Sequence, residues 1–268
     1  MADNMNVVEE IVKNKKKTLT ELKKTKSTSQ IRKEAIDYVS TKNNKFRFQE
    51  ILKDKNSTKL IAEYKPASPS QGDISALKPE DVIPLYDKNN VDMISVLTEE
   101  SYFKSNLNNF KKATKLTEKP ILRKDFVIDK YMLYEAAANN ASAALLITGV
   151  CPDIEDYLNT CYDLGLDAIV ECHTLDDIEQ VVDYNPKIIG INNRNFNDLS
   201  INLETTKNLR EYVPNYLISE SGVKTLNDAE KLKSYGADAL LIGTSLLKNN
   251  NDTEIVEFIN KLDNILKS

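Results

Sequence analysis

Short apolar runs rich in Val, Ile and Leu alternate with amphipathic stretches of helical period from residue 59 to the end of the chain. Such alternation predicts repeated units in which a buried parallel strand is followed by a helix. The predicted strands are 59–64, 93–97, 120–123, 143–148, 168–172, 188–192, 216–219 and 239–243. The predicted helices are 79–89, 105–116, 130–140, 152–164, 174–183, 203–212, 225–235 and 252–267.

Eight such units over about 210 residues predict an α/β protein with a (β/α)8 barrel, or TIM barrel, whose usual length is about 250 residues. A closed barrel buries every strand between an inner core and an outer ring of helices, which fits eight runs that are all apolar. A doubly wound sheet also alternates strands and helices, but it normally has fewer strands and a glycine-rich first turn. The chain has only 7 Gly and contains no G-x-G-x-x-G. We therefore predict the barrel.

The first 45 residues precede the first predicted strand and have an amphipathic pattern of their own. Val8, Ile11, Leu19 and Leu22 recur at near-helical spacing. We expect one or two extra helices packed on the barrel, with the polar stretch 24–30 separating them. The whole chain, 1–268, is thus predicted to be a single barrel domain in which residues 1–45 form an N-terminal helical extension.

Charge and hydropathy argue against several classes of partner. The net charge is −5, from 36 basic and 41 acidic side chains, and there is no long basic block. We therefore expect no nucleic-acid partner. No apolar stretch approaches the roughly 20 residues that span a bilayer, so we expect no membrane partner. The opening residues lack the basic and apolar regions of a secretory signal, and we expect a cytoplasmic protein.

Histidine and cysteine usage limits the chemistry. His173 is the only histidine, which excludes H-E-x-x-H zinc sites, and we expect no metal. Serine or cysteine nucleophiles would have to use that one histidine. The three cysteines have no C-x-x-C spacing, so a structural disulfide is not expected. The chemistry must then rely on Lys, Glu, Asn, Ser or backbone groups.

Charged and polar residues stand at the carboxyl ends of the predicted strands, which a barrel brings to one rim. They are Glu63, Lys65, Lys124, Glu171, Asn192, Ser219, Glu220 and Ser221. Four of them stand at the ends of odd-numbered strands: Glu63, Lys65, Lys124 and Glu171. Because alternate strands of a barrel contribute to one interior layer, we expect these four side chains in one pocket. Ammonium and carboxylate groups together can supply a general acid, a general base and anion binding. The alternative is a structural ion-pair network that closes the barrel.

The loops after the last two strands predict a phosphate site, because barrels often bind phosphate there. The first loop contains Ser221 and Gly222, and the second contains Gly243 and Thr244. Glycine lets backbone N–H groups approach an anion closely, and hydroxyl groups can donate further hydrogen bonds. The alternative is that both glycines only permit tight turns. Together the loops suggest a small phosphorylated substrate.

Other candidates are weaker. His173 is more typical of a packing group or partner at the rim than of a catalyst. Arg194 is equally suited to clamping a substrate carboxylate and to capping loop carbonyls. Tyr102, Phe103 and Phe126 could wall an aromatic pocket or belong to the ordinary core. The turn-rich stretch 68–72 suits a mobile loop that closes over a ligand.

Six segments resemble indole-3-glycerol phosphate synthases and run in the order of that family through nearly the whole barrel. They are 61–70 (IAEYKPASPS), 94–99 (ISVLTE), 122–126 (LRKDF), 170–173 (VECH), 189–194 (IGINNR) and 218–222 (ISESG). The resemblance implies that the substrate 1-(2-carboxyphenylamino)-1-deoxyribulose 5-phosphate is closed, decarboxylated and dehydrated without a cofactor. Because the sequence ends soon after the predicted helix 252–267, we expect no fused isomerase partner, and we expect a monomer or a weakly associated protein.

The resemblance further implies roles for the site residues. Lys124 resembles the general acid that protonates the substrate carbonyl oxygen. Lys65, Glu63 and Glu171 resemble the groups that assist dehydration, stabilise the cationic intermediate and position the acid. The residues that resemble substrate-binding groups are Ser68, Phe126, Asn192, Arg194, Glu220 and Ser221, with Gly222, Gly243 and Thr244 at the phosphate.

Two rival functions and one electrostatic question stay open at this point. The rivals are a related barrel such as phosphoribosylanthranilate isomerase, against which Glu63 and Lys65 argue, and a barrel that only binds a phosphosugar. Burial lowers the pKa of a lysine whereas a neighbouring glutamate raises it, so the sequence does not give the sign of the shift at Lys124. The chain departs from the family pattern at Tyr64, Pro66 and Gln71.

Overall fold

The computed structural model describes residues 7–196, 198–248 and 251–268, and its centre is a closed barrel of eight parallel strands. The barrel strands are β1 Lys59–Tyr64, β2 Met93–Leu97, β3 Ile121–Lys124, β4 Ala143–Ile147, β5 Asp167–Cys172, β6 Ile188–Asn192, β7 Tyr216–Glu220 and β8 Ala239–Ile242. Each strand pairs with the next, and β8 pairs with β1 to close the ring. The predicted fold class is confirmed, and each predicted strand end lies within one residue of the observed one.

Helices surround the barrel and extend it at the N-terminus. They are α1 Val7–Thr25, α2 Thr28–Ser40, α3 Arg47–Leu52, α4 Pro79–Lys88, α5 Leu107–Leu116, α6 Lys130–Ala138, α7 Ile154–Asp163, α8 Leu175–Val181, α9 Glu204–Leu209, α10 Leu226–Ser234, α11 Thr244–Leu247 and α12 Asp252–Lys267. The predicted helices 174–183 and 203–212 are shorter than expected, because α8 and α9 each continue into a 3-10 turn. No helix among the described residues is both long and apolar enough to cross a membrane.

The N-terminal extension forms two helices with the predicted break between them. Ser27 begins α2 with a capping box, in which its hydroxyl accepts from the Gln30 amide and the Gln30 side chain accepts from the Ser27 amide. α2 packs on α6, outside the barrel. α1 instead reaches the mouth of the barrel, where Val7, Val8 and Ile11 line the cavity described below. Residues 1–6 of the predicted extension lie outside the described residues.

Helix α3 was not predicted, because the sequence argument ended the extension at residue 45. Phe48 and Leu52 of this helix belong to the same buried cluster as the inward-facing Ile61 and Ile169 of the barrel. Asp167, at the start of β5, fixes the helix: its carboxylate accepts from the Phe48 amide at 2.7 Å and from the Gln49 side chain at 2.7 Å. The helix therefore closes the end of the barrel opposite the strands' carboxyl ends.

The loop after β1, in which the turn-rich stretch 68–72 was predicted to suit a mobile loop, contains a small hairpin of Ala67–Ser68 paired with Gly72–Asp73. The carbonyl of Pro66 accepts from the Ile74 amide at 2.8 Å and from the Ser75 amide at 3.1 Å, which closes the base of this loop. Tyr64 points outward, and its hydroxyl donates to the Leu77 carbonyl at 3.2 Å. The sequence departure at Tyr64 thus affects the packing between strand and helix rather than the barrel interior.

We expect Asp167→Ala to lower the free energy of unfolding by about 1–3 kcal/mol, because it leaves the buried Phe48 amide without its acceptor and releases α3. Urea denaturation followed by circular dichroism measures this loss. The matched control is Glu50→Ala on the same helix, which removes an exposed ion pair with Lys53 and should cost less than about 0.5 kcal/mol. Equal losses in both variants would contradict the role given to Asp167.

Candidate active site

A cavity opens at the carboxyl ends of the barrel strands, and the side chains predicted from the strand ends meet there. All the candidate residues line it: Glu63, Lys65, Ser68, Lys124, Phe126, Glu171, Asn192, Arg194, Glu220, Ser221, Gly222, Gly243 and Thr244. Ser219 is the exception among the strand-end polar residues. It faces outward, and its hydroxyl lies 2.7 Å from the Thr206 hydroxyl between strand and helix.

Lys124 is the centre of the charged groups in the cavity. Its Nζ lies 3.0 Å from Glu171 Oε2 and 2.5 Å from Glu220 Oε2. A second pair lies beside it, with Lys65 Nζ 2.7 Å from Glu63 Oε1. The Asn192 side chain donates to Glu171 Oε1 at 2.9 Å and so fixes that carboxylate from the other side. The structural ion-pair network that the sequence left as an alternative is therefore present, but it lines an open cavity.

Burial and charge act against each other on these groups. Burial by itself lowers the pKa of the Lys124 ammonium, but the charges of Glu171, Glu220 and Glu63 outweigh it and hold that pKa well above its ordinary value. The sequence left open whether the pKa of Lys124 is raised or lowered, and in the structure it is raised. The side chain stays protonated across the physiological range and always carries a proton to donate.

The two carboxylates that hold Lys124 have pKa values that move in opposite directions. Burial raises the pKa of Glu171, but Lys124, His173 and Asn192 more than offset it and depress that pKa, so this carboxylate stays ionised. Burial dominates at Glu220 and raises its pKa to about 7 despite the attraction of Lys124. Titratable groups whose environments separate their pKa values are typical of acid–base sites. The arrangement can therefore exchange protons near neutral pH.

His173 contacts the site from its rim. Its Nε2 lies 3.3 Å from Glu171 Oε1, and its ring packs on Phe196 with centroids 4.4 Å apart. This is the supporting position that the sequence favoured for the residue. The contact neutralises part of the negative charge of Glu171 when the imidazole is protonated.

The two predicted phosphate loops lie side by side. The Ser245 hydroxyl donates to the Val223 carbonyl at 2.8 Å and ties one loop to the other. Thr244 begins α11, and the first amides of a helix have no acceptor within it, so they are available to an anion. Gly222 has φ +102°, and a Cβ there would lie 2.5 Å from Leu203 Cδ2. Gly222 is therefore needed for the tight turn, which was the alternative to a phosphate site. Both loops nevertheless line the cavity, so the turn does not exclude phosphate binding.

Two aromatic rings form an apolar wall of the cavity. The rings of Phe103 and Phe126 are 6.2 Å apart, and both line the cavity. Glu99 fixes the loop that carries Phe103 by accepting from the backbone amides of Tyr102 at 2.7 Å and Phe103 at 3.0 Å. Tyr102 is not among the residues that line the cavity, and its hydroxyl donates to Glu10 of α1.

Arg194 and several apolar residues complete the lining. Arg194 Nη1 donates to the Leu199 carbonyl at 3.0 Å, which is the capping role that the sequence left open, and its side chain also borders the cavity. Sequence reasoning missed the contributions of Val7, Phe196 and Leu199. The only signal for Val7 was the amphipathic face of α1, which indicated packing rather than a pocket. Among the described residues, no group of three or more potential metal-ligating side chains occurs.

Comparison with known proteins points to one family. The family model described as indole-3-glycerol phosphate synthase matches residues 8–259. A protein of that name from Methanothermobacter marburgensis is 37% identical over 257 residues, covering 95% of this chain and 91% of its own length. Another from Clostridium acetobutylicum is 39% identical over 260 residues, covering 95% of this chain and 98% of its own length.

Solved structures share the fold at low sequence identity. A thiamine phosphate pyrophosphorylase from Pyrococcus furiosus superposes with a TM-score of 0.60 at 12% identity, covering 79% of this chain and 96% of that one. A tryptophan synthase chain from M. tuberculosis superposes with a TM-score of 0.59 at 13% identity, covering 83% and 99%. These structures support the barrel alone.

A titration of His173 tests the charged cluster without any assay of activity, because the chain has a single histidine. Burial lowers the pKa of this imidazole, but Glu171 outweighs burial and raises the pKa above its ordinary 6.5. We expect NMR to give a midpoint above 6.5 that falls in Glu171→Gln. Glu63→Gln is the control and should leave the midpoint unchanged. A wild-type midpoint at or below 6.5 would refute the contact.

Proposed function

The chain belongs to the indole-3-glycerol phosphate synthase family, and from that membership we propose how its cavity closes the indole ring. The enzyme converts 1-(2-carboxyphenylamino)-1-deoxyribulose 5-phosphate to indole-3-glycerol phosphate in tryptophan biosynthesis, with loss of one carbon dioxide and one water. The observation that carries the assignment of residues is the contact of the Lys124 ammonium with Glu171 and Glu220, inside a cavity bordered by two phosphate loops.

The lining of the cavity orients this substrate. We place the phosphate at Gly222, Gly243 and Thr244, which line the cavity and can offer it backbone amides and a hydroxyl group. The aryl ring then lies against Phe126 and Phe103, the apolar side of the cavity. The carbonyl carbon and the ring carbon that attacks it come between these two ends, beside the lysines. Ser68, Asn192, Arg194 and Ser221 border the same space and supply hydrogen bonds to the ribulose and carboxylate oxygens.

Ring closure needs a proton at the carbonyl oxygen. The ring carbon that bears the carboxylate attacks the carbonyl carbon, and Lys124 donates a proton to the oxygen as it becomes a hydroxyl group. The ring is then cationic at nitrogen, and the ionised Glu171 stabilises that charge. Loss of carbon dioxide returns the electron pair to the ring and neutralises it. Glu220 can return a proton to Lys124, because the two groups lie 2.5 Å apart.

Dehydration needs one acid and one base close together. We assign the acid to Lys65, which protonates the departing hydroxyl group, and the base to Glu63, which takes the proton from the methylene carbon next to nitrogen. Their separation of 2.7 Å allows the proton to pass back from the glutamic acid to the lysine after each turnover. Water leaves and the aromatic indole forms.

We also propose that the chain works as one barrel domain and as a monomer in the cytoplasm. α1 supplies Val7, Val8 and Ile11 to the cavity, so the extension and the barrel form one functional unit. The cysteines Cys151, Cys161 and Cys172 are free thiols. Light scattering of the purified protein at micromolar concentration tests the monomer.

Turnover is the direct test of the reaction. Purified protein mixed with the carboxyphenylamino substrate should produce indole absorbance and fluorescence. Binding of the substrate without product would instead indicate a barrel that only holds phosphosugars.

We expect Lys124→Ala to reduce kcat by about 10³-fold, because general acid catalysis typically contributes between 10² and 10⁴. Circular dichroism should show a folded barrel. Lys115→Ala removes an equal charge from the surface of α5 and is the control, with kcat near that of the wild type. Activity of Lys124→Ala within tenfold of the control would exclude its role as the acid.

We expect Thr244→Asp to raise KM at least about tenfold with a smaller effect on kcat, because the new carboxylate repels the phosphate. Steady-state kinetics with the phosphorylated substrate measures both constants. Thr244→Ser keeps the hydroxyl and should keep KM within about twofold. An unchanged KM in Thr244→Asp would place the phosphate elsewhere.

A further inference from the structure

Gly190, in the middle of β6, faces the barrel interior below the charged cluster. A Cβ atom at this position would overlap Glu220 Oε1 and would lie 3.1 Å from Ile169 Cγ2 and 3.4 Å from Glu220 Cδ. Most glycines of the described chain are in the left-handed region, at φ between +64° and +102°. Gly190 is in ordinary strand conformation instead. Its backbone would accept any residue, so the space is what requires glycine.

The carboxylate of Glu220 occupies that space. Glu220 is paired across the sheet with Asn192, and its side chain extends from there toward the level of Gly190. The residue is only 1% exposed. Its Oε2 contacts Lys124 Nζ at 2.5 Å, whereas Oε1 has no hydrogen-bond partner among the described residues and lies where a side chain at 190 would begin. A buried carboxylate with one unsatisfied oxygen is held there by shape and by Lys124 rather than by hydrogen bonds on both sides.

We propose that Gly190 is a positioning residue, whose missing side chain forms the socket that holds the Glu220 carboxylate against Lys124. Gly243 makes a similar approach to Glu63, with a Cβ distance of 2.8 Å to Oε1, but it also belongs to the phosphate loop. Gly190 takes no part in that loop and touches no substrate in the arrangement proposed above. We expect its effect on the reaction to pass through Glu220, because Ile169, the other side chain near a Cβ at position 190, belongs to the apolar core.

A methyl group at position 190 therefore moves Glu220 away from Lys124. The lysine keeps Glu171 as a partner but loses the second carboxylate that helps to retain its proton. The atoms nearest to a Cβ at position 190 belong to Glu220 and Ile169 rather than to the phosphate loops or the aryl wall. In the proposed mechanism Glu220 acts on Lys124, so we expect substrate binding to change little. This inference rests on the proposed function, because it assumes that Lys124 acts as the acid.

A double-mutant cycle tests the socket. Gly190→Ala should lower kcat at least about tenfold while KM changes by less than about threefold. Glu220→Asp withdraws the carboxylate by one methylene group and leaves room for a Cβ at position 190. Adding Gly190→Ala to Glu220→Asp should therefore cost less than about threefold in kcat. The same cycle measured by melting temperature gives a second reading that does not depend on the activity of Glu220→Asp.

The matched control is Glu63→Asp, which shortens a glutamate of the same cluster that Gly190 does not contact. In that background, Gly190→Ala should cost as much as it does in the wild type. The pH dependence of kcat separates positioning from a packing defect. Loss of one carboxylate should move the basic limb of the Gly190→Ala profile to lower pH, and a packing defect would leave the limb in place.

Three results would overturn the socket. They are near-normal kcat in Gly190→Ala, an equal loss of kcat and melting temperature in the wild-type and Glu220→Asp backgrounds, and failure of Gly190→Ala to fold in both backgrounds. Absence of turnover by the wild-type protein in the same assay would overturn the proposed function instead. The two failures are thus distinguished.

Discussion

The contact between Lys124 and two buried glutamates is the interaction on which the site depends. A single ammonium in the mouth of a barrel would lose much of its hydration and release its proton, whereas Glu171 and Glu220 together reverse that tendency. The lysine in turn stabilises the glutamates, because two carboxylates as deeply buried as Glu171 and Glu220 could not both ionise without a neighbouring positive charge. Each of the three charges therefore stabilises the others, and the Lys124 ammonium stays protonated at the wall of the cavity.

Much of the surrounding structure holds these three side chains in contact and leaves the cavity beside them open. Odd-numbered strands supply the charged side chains. Glycine lies beside them within β6, at Gly190, and directly after β8, at Gly243, where a side chain would collide with glutamate. α1 narrows the mouth with apolar groups, while α3 closes the opposite end through Asp167. The barrel is consequently packed at one end and open at the other, which is how one core can both stabilise the chain and admit a ligand.

The sequence predicted the barrel and which polar residues line the cavity at its mouth, because the position of a residue along a strand becomes its position in space in this fold. Once the eight strands are recognised, the residues at their carboxyl ends have to lie near one another. Lys124 and Glu171 are in contact although they are 47 positions apart in the sequence. The sequence did not predict which carboxylates pair with the lysine, or the sign of its pKa shift, since both depend on distances of a few ångströms. Phe196 and α3 were missed because neither follows the strand–helix period. Gly190 was missed because the sequence does not show which neighbouring side chain occupies the space beside a strand glycine; here it is Glu220.

The barrel itself says little about which reaction is performed. Proteins with other names share this fold at 12–13% identity, and phosphate loops after the last two strands are common to many barrels. In this chain the two lysines of the cavity, Lys65 and Lys124, each contact a glutamate above an inner layer of apolar side chains. In the proposed mechanism Lys124 and Lys65 are two separate proton donors, and each lies within 3 Å of a glutamate. A reaction that protonates the same oxygen twice, first as a carbonyl and then as a leaving hydroxyl group, is the chemistry that such a cavity fits.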